Sequence, residues 1–280
     1  SGVPGLVKGI YMMQQKYGDL PWKSIVQPSI DLARHGFKVY PALEKALEAR
    51  KEVLARFPAT KEIFFKDDKP LKKGDLLVQK DLAKTLEAIR DSGSDGFYKG
   101  WVADSIVKEF KKRNGLITQK DLDKYNAIWR EPVVGTYRDY EIFSMGPPSS
   151  GGTHIIQILN ILEPMKLKKY GPQSVKTIHK TATAMQLAFV DRARYMGDAD
   201  FVKVPVSGLT AKAYAAELRK KMTDKALKLK EHGLMDAFDY ESPETVHFTV
   251  MDGSGNVVSS TQTINYWMGS GLVVPGTGIL

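Results

Sequence analysis

The chain has 280 residues, of which 41 are Lys or Arg and 32 are Asp or Glu, giving a formal net charge of +9. That length can bury a sizeable core in one large or two smaller domains, and the absence of cysteine excludes disulfides, thiolate metal sites and a cysteine nucleophile. No apolar run approaches the roughly 18–20 residues that cross a bilayer, and the lysines alternate with acids, as in Lys108-Glu109-Phe110-Lys111, so the charge reads as solvated helix faces rather than a nucleic-acid patch.

Ser1-Gly2-Val3-Pro4-Gly5 reads as a loop and carries no signal peptide. From residue 9 to about residue 230 the pattern is mainly helical: segments 42–56, 79–90, 102–113 and 174–195 place apolar residues at three- and four-residue steps. Thr118-Gln119-Lys120-Asp121 predicts a capping box before Leu122, and Gly115 and Gly197 sit where helices should stop. A strand-like run at 133–143 interrupts the helices. After it, Gly146-Pro147-Pro148-Ser149-Ser150-Gly151-Gly152 leads into an apolar helix from about Thr153 to Leu162. Such a turn suits an anion or carbonyl oxygen at a helix N-terminus, or a tight connection where glycine allows close packing. The residues alone leave both readings open.

Past Tyr240 the period changes to two. Residues 246–251 and 257–264 read as strands joined by Asp252-Gly253-Ser254-Gly255-Asn256. With Gly253-Ser254-Gly255 as a three-residue loop, Asp252 faces Asn256, His247 faces Thr261 and Thr245 faces Thr263. A slip of one residue would turn Thr263 to the other face. On periodicity alone, facing threonines are ordinary cross-strand partners. The last residues, Pro275-Gly276-Thr277-Gly278-Ile279-Leu280, end where a turn feeds a new apolar strand, so the C-terminus looks cut.

The stretch Glu244-Thr245-Val246-His247-Phe248-Thr249-Val250-Met251-Asp252, continuing from Gly255 to Asn265, resembles the start of the small subunit of γ-glutamyltransferases. So does Gly269-Ser270-Gly271 with the run 273–280. Leu20-Pro21-Trp22, Val26-Gln27-Pro28-Ser29-Ile30, Pro70-Leu71-Lys72-Lys73-Gly74-Asp75, Phe97-Tyr98-Lys99-Gly100 and Gly115-Leu116-Ile117-Thr118 are similar to the large subunit. Pro147-Pro148-Ser149-Ser150-Gly151-Gly152 and Asp191-Arg192-Ala193-Arg194-Tyr195-Met196-Gly197-Asp198 follow in the family's order. Each motif is weak alone; the ordered set is specific.

The resemblance implies an α+β fold of the N-terminal-nucleophile hydrolase type, an αββα sandwich that is incomplete here and mainly helical in its N-terminal part. It implies a large-subunit-like region 1–244 and the start of a small-subunit-like region 245–280, together one incomplete domain. Self-cleavage would fall between Glu244 and Thr245, freeing Thr245 as the catalytic nucleophile. A threonine hydroxyl needs an adjacent base, and a free α-amine, titrating near pH 8, would supply one. Thr263 matches the threonine that supports the nucleophile, and Asn265 matches a substrate-binding asparagine. Ser149, Ser150, Gly151 and Gly152 are expected near the site. His247 is expected as a packed, hydrogen-bonded strand residue, and Asp191, Arg192 and Asp198 as a buried ion-pair set. His35, His154, His179 and His232 have no metal-ligand spacing, so neither metal nor cofactor is expected.

The implied partners are glutathione or another γ-glutamyl compound, an acceptor amino acid or water, and the remainder of the same chain. Edge-to-edge pairing of two copies is also expected where a sheet lacks its later strands. The family's usual setting implies a periplasmic or secreted protein. Val246 departs from the family, which has a second threonine there. The family's carboxylate-binding arginine lies upstream of the matched region, and its oxyanion glycines lie beyond Leu280, so the 280 residues alone are expected to be inactive. The rival readings are a cephalosporin-acylase-like or poly-γ-glutamate-processing relative, and a degenerate non-catalytic one.

Overall fold

The structure, a computed structural model, describes residues 2–227 and 245–280. The chain forms two compact units: Ser1–Ile128 with Tyr240–Leu280, and Trp129–Asp239. Among the described residues, helices alternate with four two-stranded antiparallel ladders.

The first unit is built on helices whose apolar stripes meet in adjoining cores. Val26, Ile30 and Ala33 of the helix Trp22–His35 pack with Ala83 of the helix Lys80–Ser92. Ile89, Phe97, Val102, Ile106 and Leu122 form a second cluster. Val39, Leu47, Leu54, Phe64 and Leu77 form a third. Val274 belongs to the second cluster and its neighbour Val273 to the third. Two adjacent residues therefore stitch two cores, each valine contributing about 1.5–3 kcal/mol if fully withdrawn from water.

Helix boundaries follow local chemistry. The expected helix 42–56 is two helices, Pro41–Ala49 and Lys51–Leu54, because Arg50 adopts φ −110° and ψ 7° between them. The helix Gly100–Lys112 ends in a Schellman turn: Gly115 N–H donates to Phe110 O at 2.7 Å and Asn114 N–H to Lys111 O at 3.3 Å. The left-handed residue there is Asn114, at φ 55°, and not the expected Gly115. Asp121 Oδ2 accepts from Thr118 N–H at 2.8 Å and from Thr118 Oγ1 at 2.6 Å, so the acidic arm of the capping box forms.

The second unit packs the helix Gly151–Leu162 against the helices Val175–Tyr195 and Lys212–Lys220 through Ile161, Leu162, Ala184, Leu187, Ala215 and Leu218. The run 133–143, expected as one strand, is a hairpin. Val133–Tyr137 pairs with Tyr140–Ser144, and Arg138, at φ 54°, turns the chain between them. Gly135 lies where a Cβ would meet Ile156 Cγ2 at 2.5 Å, so the ladder sits directly on the helix Gly151–Leu162.

The other hairpin, in the first unit, has the expected register. Val246–Met251 pairs with Val257–Gln262, with His247 opposite Thr261 and Met251 opposite Val257. Asp252 N–H donates to Asn256 O at 3.1 Å, and Gly255 takes φ 84°, the left-handed position of a three-residue loop. Asp252 ties the turn: Oδ1 accepts from Ser254 N–H and Asn256 N–H, both at 2.9 Å, and Oδ2 from Asn256 Nδ2 at 2.8 Å. The side-chain bond from Asn256, then its backbone N–H, hold the Asp252 carboxyl below its ordinary value of 3.8. A carboxylate depressed in the folded state contributes stability above its unfolded pKa and loses it as pH falls through the folded value. Protection of the Ser254 and Asn256 amides, relative to their intrinsic exchange rates, is therefore expected to fall only below about pH 4, and to be lost at every pH in Asp252→Ala.

Candidate functional site

Thr245 is exposed and stands immediately before the strand Val246–Met251. The ladder closes at Val246 opposite Gln262, one step short of Thr245 and Thr263. Continued by one step, the register would place these two threonines opposite each other, but that pair is not part of the ladder. The second strand stops at Gln262 instead of continuing to residue 264. Thr263 Oγ1 instead accepts from Asn265 N–H at 2.9 Å. That bond uses the threonine oxygen as acceptor, so the hydroxyl proton is the group Thr263 can donate. Asn265 is left-handed at φ 75°, an uncommon state for a non-glycine residue that clusters at functional positions.

His247 is hydrogen-bonded but not packed. It is exposed, with Nδ1 2.8 Å from Thr261 Oγ1 and Nε2 3.3 Å from Ser259 Oγ. The expected burial fails because this hairpin bares both faces: Phe248 is 42% and Met251 72% exposed. Glu244, on the other side of the expected scissile bond, lies outside the described residues, as does His232.

After Asn265 the chain enters a loop that the helices of the same unit hold at several points. Met268 and Gly269 follow with φ 59° and 52°, and Gly271 with φ 77°. Arg50 Nη2 donates to Gly269 O at 3.1 Å, and its guanidinium carbon lies 5.4 Å from the Tyr266 ring centre. Thr60, fully buried on the helix Pro58–Phe64, donates to Gly271 O at 2.7 Å and accepts from Val273 N–H at 2.9 Å. Thr85 donates to Thr277 O at 2.8 Å. Gly278, at φ 68°, approaches the helix Lys80–Ser92 so closely that a Cβ would lie 2.8 Å from Leu82 Cα.

Ser149, Ser150, Gly151 and Gly152 belong to the second unit and open the helix Gly151–Leu162. Ser149 Oγ accepts from Gly151 N–H at 3.2 Å and Gly152 N–H donates to Met145 O at 3.1 Å. A Cβ on Gly152 would lie 3.0 Å from Ser144 C and nearer still to Met145 O. These contacts are those of a tight connection. The expected ion-pair set at 191–198 is not one. Asp191 is buried and accepts hydrogen bonds from Gln157 Nε2 at 2.5 Å and Tyr214 OH at 3.0 Å. Gln157 Oε1 in turn lies 2.7 Å from His154 Nδ1. Arg192 is exposed, with Nε donating to Ser150 Oγ at 3.0 Å, and Asp198 accepts from Asp200 N–H at 3.0 Å. Burial holds His154 below its ordinary pKa, against the raising effect of Gln157. Burial, then the Asp191 carboxylate, pushes the Tyr214 phenol up to about 12. Among the described residues, no three His, Asp or Glu side chains converge as a metal-holding group.

Sequence reasoning missed Arg50, Thr60 and Thr85. Their role depends on partners some two hundred residues away, and only the density of glycines in 269–278 hinted at a loop needing outside support.

The sequence model described as gamma-glutamyltranspeptidase matches residues 1–280. The chain is 47% identical to the glutathione hydrolase proenzyme of Escherichia coli K12 over 282 aligned residues, covering 100% of the chain and 49% of that protein. It spans about half the length of the curated relatives it matches. Among solved structures it resembles the Helicobacter pylori γ-glutamyltranspeptidase, with 46% identity and a TM-score of 0.79 over 81% of this chain and 66% of that one. It also resembles the cephalosporin acylase of Bacillus halodurans, with 31% identity and a TM-score of 0.87 over 99% of this chain and 50% of that one.

Proposed function

Because the chain belongs to the γ-glutamyltranspeptidase family and shares its N-terminal-nucleophile hydrolase fold, we propose that the full-length protein transfers γ-glutamyl groups from glutathione or other γ-glutamyl amides to water or an amino acid. The observation that supports this reading is an exposed Thr245 immediately before the strand Val246–Met251, whose register, continued by one step, would bring it opposite Thr263. The peptide bond between Glu244 and Thr245 breaks first, dividing a large-subunit-like 1–244 from a small-subunit-like part that begins at 245. The new α-amine takes the proton from Thr245 Oγ1 as that oxygen attacks the γ-glutamyl carbonyl carbon. The same proton passes to the departing amine, leaving a threonine ester. Water or an acceptor amine then attacks the ester carbonyl, returns the proton to Thr245 and releases glutamate or a new γ-glutamyl amide.

Thr263, with its oxygen held by Asn265 N–H, donates its hydroxyl proton to Thr245 Oγ1 and orients it. Asn265 binds the α-amino or carboxylate end of the glutamyl group. Val246 puts an apolar residue beside the scissile bond and slows cleavage relative to a threonine there. The unpaired edges of the hairpin and its exposed apolar side chains are where further strands of the same chain, or a second copy, are expected to add. A periplasmic or secreted location fits the family's habit.

Mass spectrometry of the full-length protein tests the reading. Incubation should produce two fragments, the second beginning at Thr245, and the product should release glutamate from glutathione. The 280 residues alone should release none. The likeness to a cephalosporin acylase supports a second reading with the same nucleophile and a different acyl pocket. Preference for a cephalosporin side-chain amide over glutathione would select it, and a protein that never splits would overturn both.

A further inference from the structure

We propose that Arg50 and Thr60 are positioning residues for substrate binding, acting through the loop that begins at Asn265. This rests on the reading of Asn265 as the residue that contacts the glutamyl α-group. Asn265 and Met268 hold left-handed backbone at φ 75° and 59°; Asn adopts that region readily, whereas Met268 needs surrounding contacts to keep it there. The next residues are gripped from outside the loop. Arg50 clamps the turn by the Gly269 carbonyl and the Tyr266 ring, one residue beyond Asn265. Thr60 fixes the following step, donating to Gly271 O and accepting from Val273 N–H.

Thr60 is 0% exposed and commits both its donor and an acceptor lone pair to one loop. A hydroxyl so used sets the height and rotation of the backbone from Gly271 to Val273, the far anchor of the loop that begins at Asn265. Arg50 stands at the break between the helices Pro41–Ala49 and Lys51–Leu54, where the irregular backbone sends its side chain to the loop. The two contacts flank Gly271, whose Cβ would meet Val53 Cγ1 at 2.7 Å, so the loop has no slack on that side. A contact to the α-group that is made equally in the ground and transition states contributes uniform binding, so its loss raises KM and leaves kcat unchanged.

The test uses the full-length protein after cleavage, with γ-glutamyl-p-nitroanilide as substrate and four variants: Thr60→Val, Thr60→Ser, Arg50→Lys and Arg50→Gln. Thr60→Val is expected to raise KM at least tenfold with kcat within threefold, and Thr60→Ser, which keeps both hydrogen bonds, to restore KM to within threefold of wild type. Arg50→Lys, which keeps the charge but loses the planar fork and the ring contact, should raise KM at least fivefold, as should Arg50→Gln. If Thr60→Val does not fold or does not cleave, the two Arg50 variants decide. An active wild type in which the variants leave KM within twofold, whatever their melting temperatures, overturns the clamp. A wild type that cleaves but turns over no γ-glutamyl amide overturns the reading of the site, and the substrate role of the clamp with it.

Discussion

Thr245→Ala in the full-length protein should abolish both self-cleavage and turnover. In the proposed mechanism the hydroxyl is the atom that attacks in each step, so without it the intact mass stays that of a single chain. Product release should fall by on the order of 10⁴-fold or more, as for other nucleophile deletions. Thr245→Ser keeps an oxygen at the head of the strand Val246–Met251 and should both cleave and turn over, more slowly, because the β-branch that limits the side chain's rotamers is gone. Cleavage before residue 245 in the alanine variant would show that another group does the cutting. Turnover in that variant would show that the nucleophile lies elsewhere.

Gly152→Ala should destabilise the protein by about 1–3 kcal/mol, as overpacked substitutions do, while Gly151→Ala should stay within about 0.5 kcal/mol. The two glycines are adjacent at the start of the helix Gly151–Leu162, yet only one is crowded. A Cβ on Gly152 runs into Met145 O and Ser144 C, backbone atoms that cannot rotate away, whereas on Gly151 it meets only Ser149 Oγ at 3.4 Å. Urea unfolding of the two variants measures the difference. Equal stabilities would remove the tight-connection reading of this turn and return it to the anion-site reading.

The hairpin register was legible because Asp252-Gly253-Ser254-Gly255-Asn256 is an unambiguous turn between period-two runs. The capping acid at Asp121 and the helix end near Gly115 were legible for the same reason: their partners lie within five residues. The hairpin Val133–Tyr137 with Tyr140–Ser144 was read as one strand because Arg138-Asp139 contains neither Gly nor Asn, and Arg138 bears the left-handed φ itself. The break at Arg50 has no Gly or Pro to mark it. In the candidate site, Thr245, Thr263 and Asn265 are proposed through motif order, since a threonine in a strand carries no local sign of its chemistry. Asp191 was misjudged because a buried carboxylate next to an arginine in sequence suggests an ion pair, while helical geometry turned it to Gln157 and Tyr214.

The placement of Val273 and Val274 in two cores bears on the order in which the molecule is assembled. Thr60 meets Gly271 and Val273 across 211 and 213 residues of chain, and the whole second unit, Trp129–Asp239, lies between them in sequence. That unit is contiguous and can complete itself as soon as it leaves the ribosome. The first unit cannot, because the two valines that join its cores follow the whole second unit in sequence. The entropy of closing so long a loop rises only by about 0.6 kcal/mol per doubling of its length, and a folded insert shortens the free chain that must be gathered. The two cores of the first unit are therefore joined only after the second unit has been made, and the strand Val246–Met251 follows in sequence the helices that hold the loop after it.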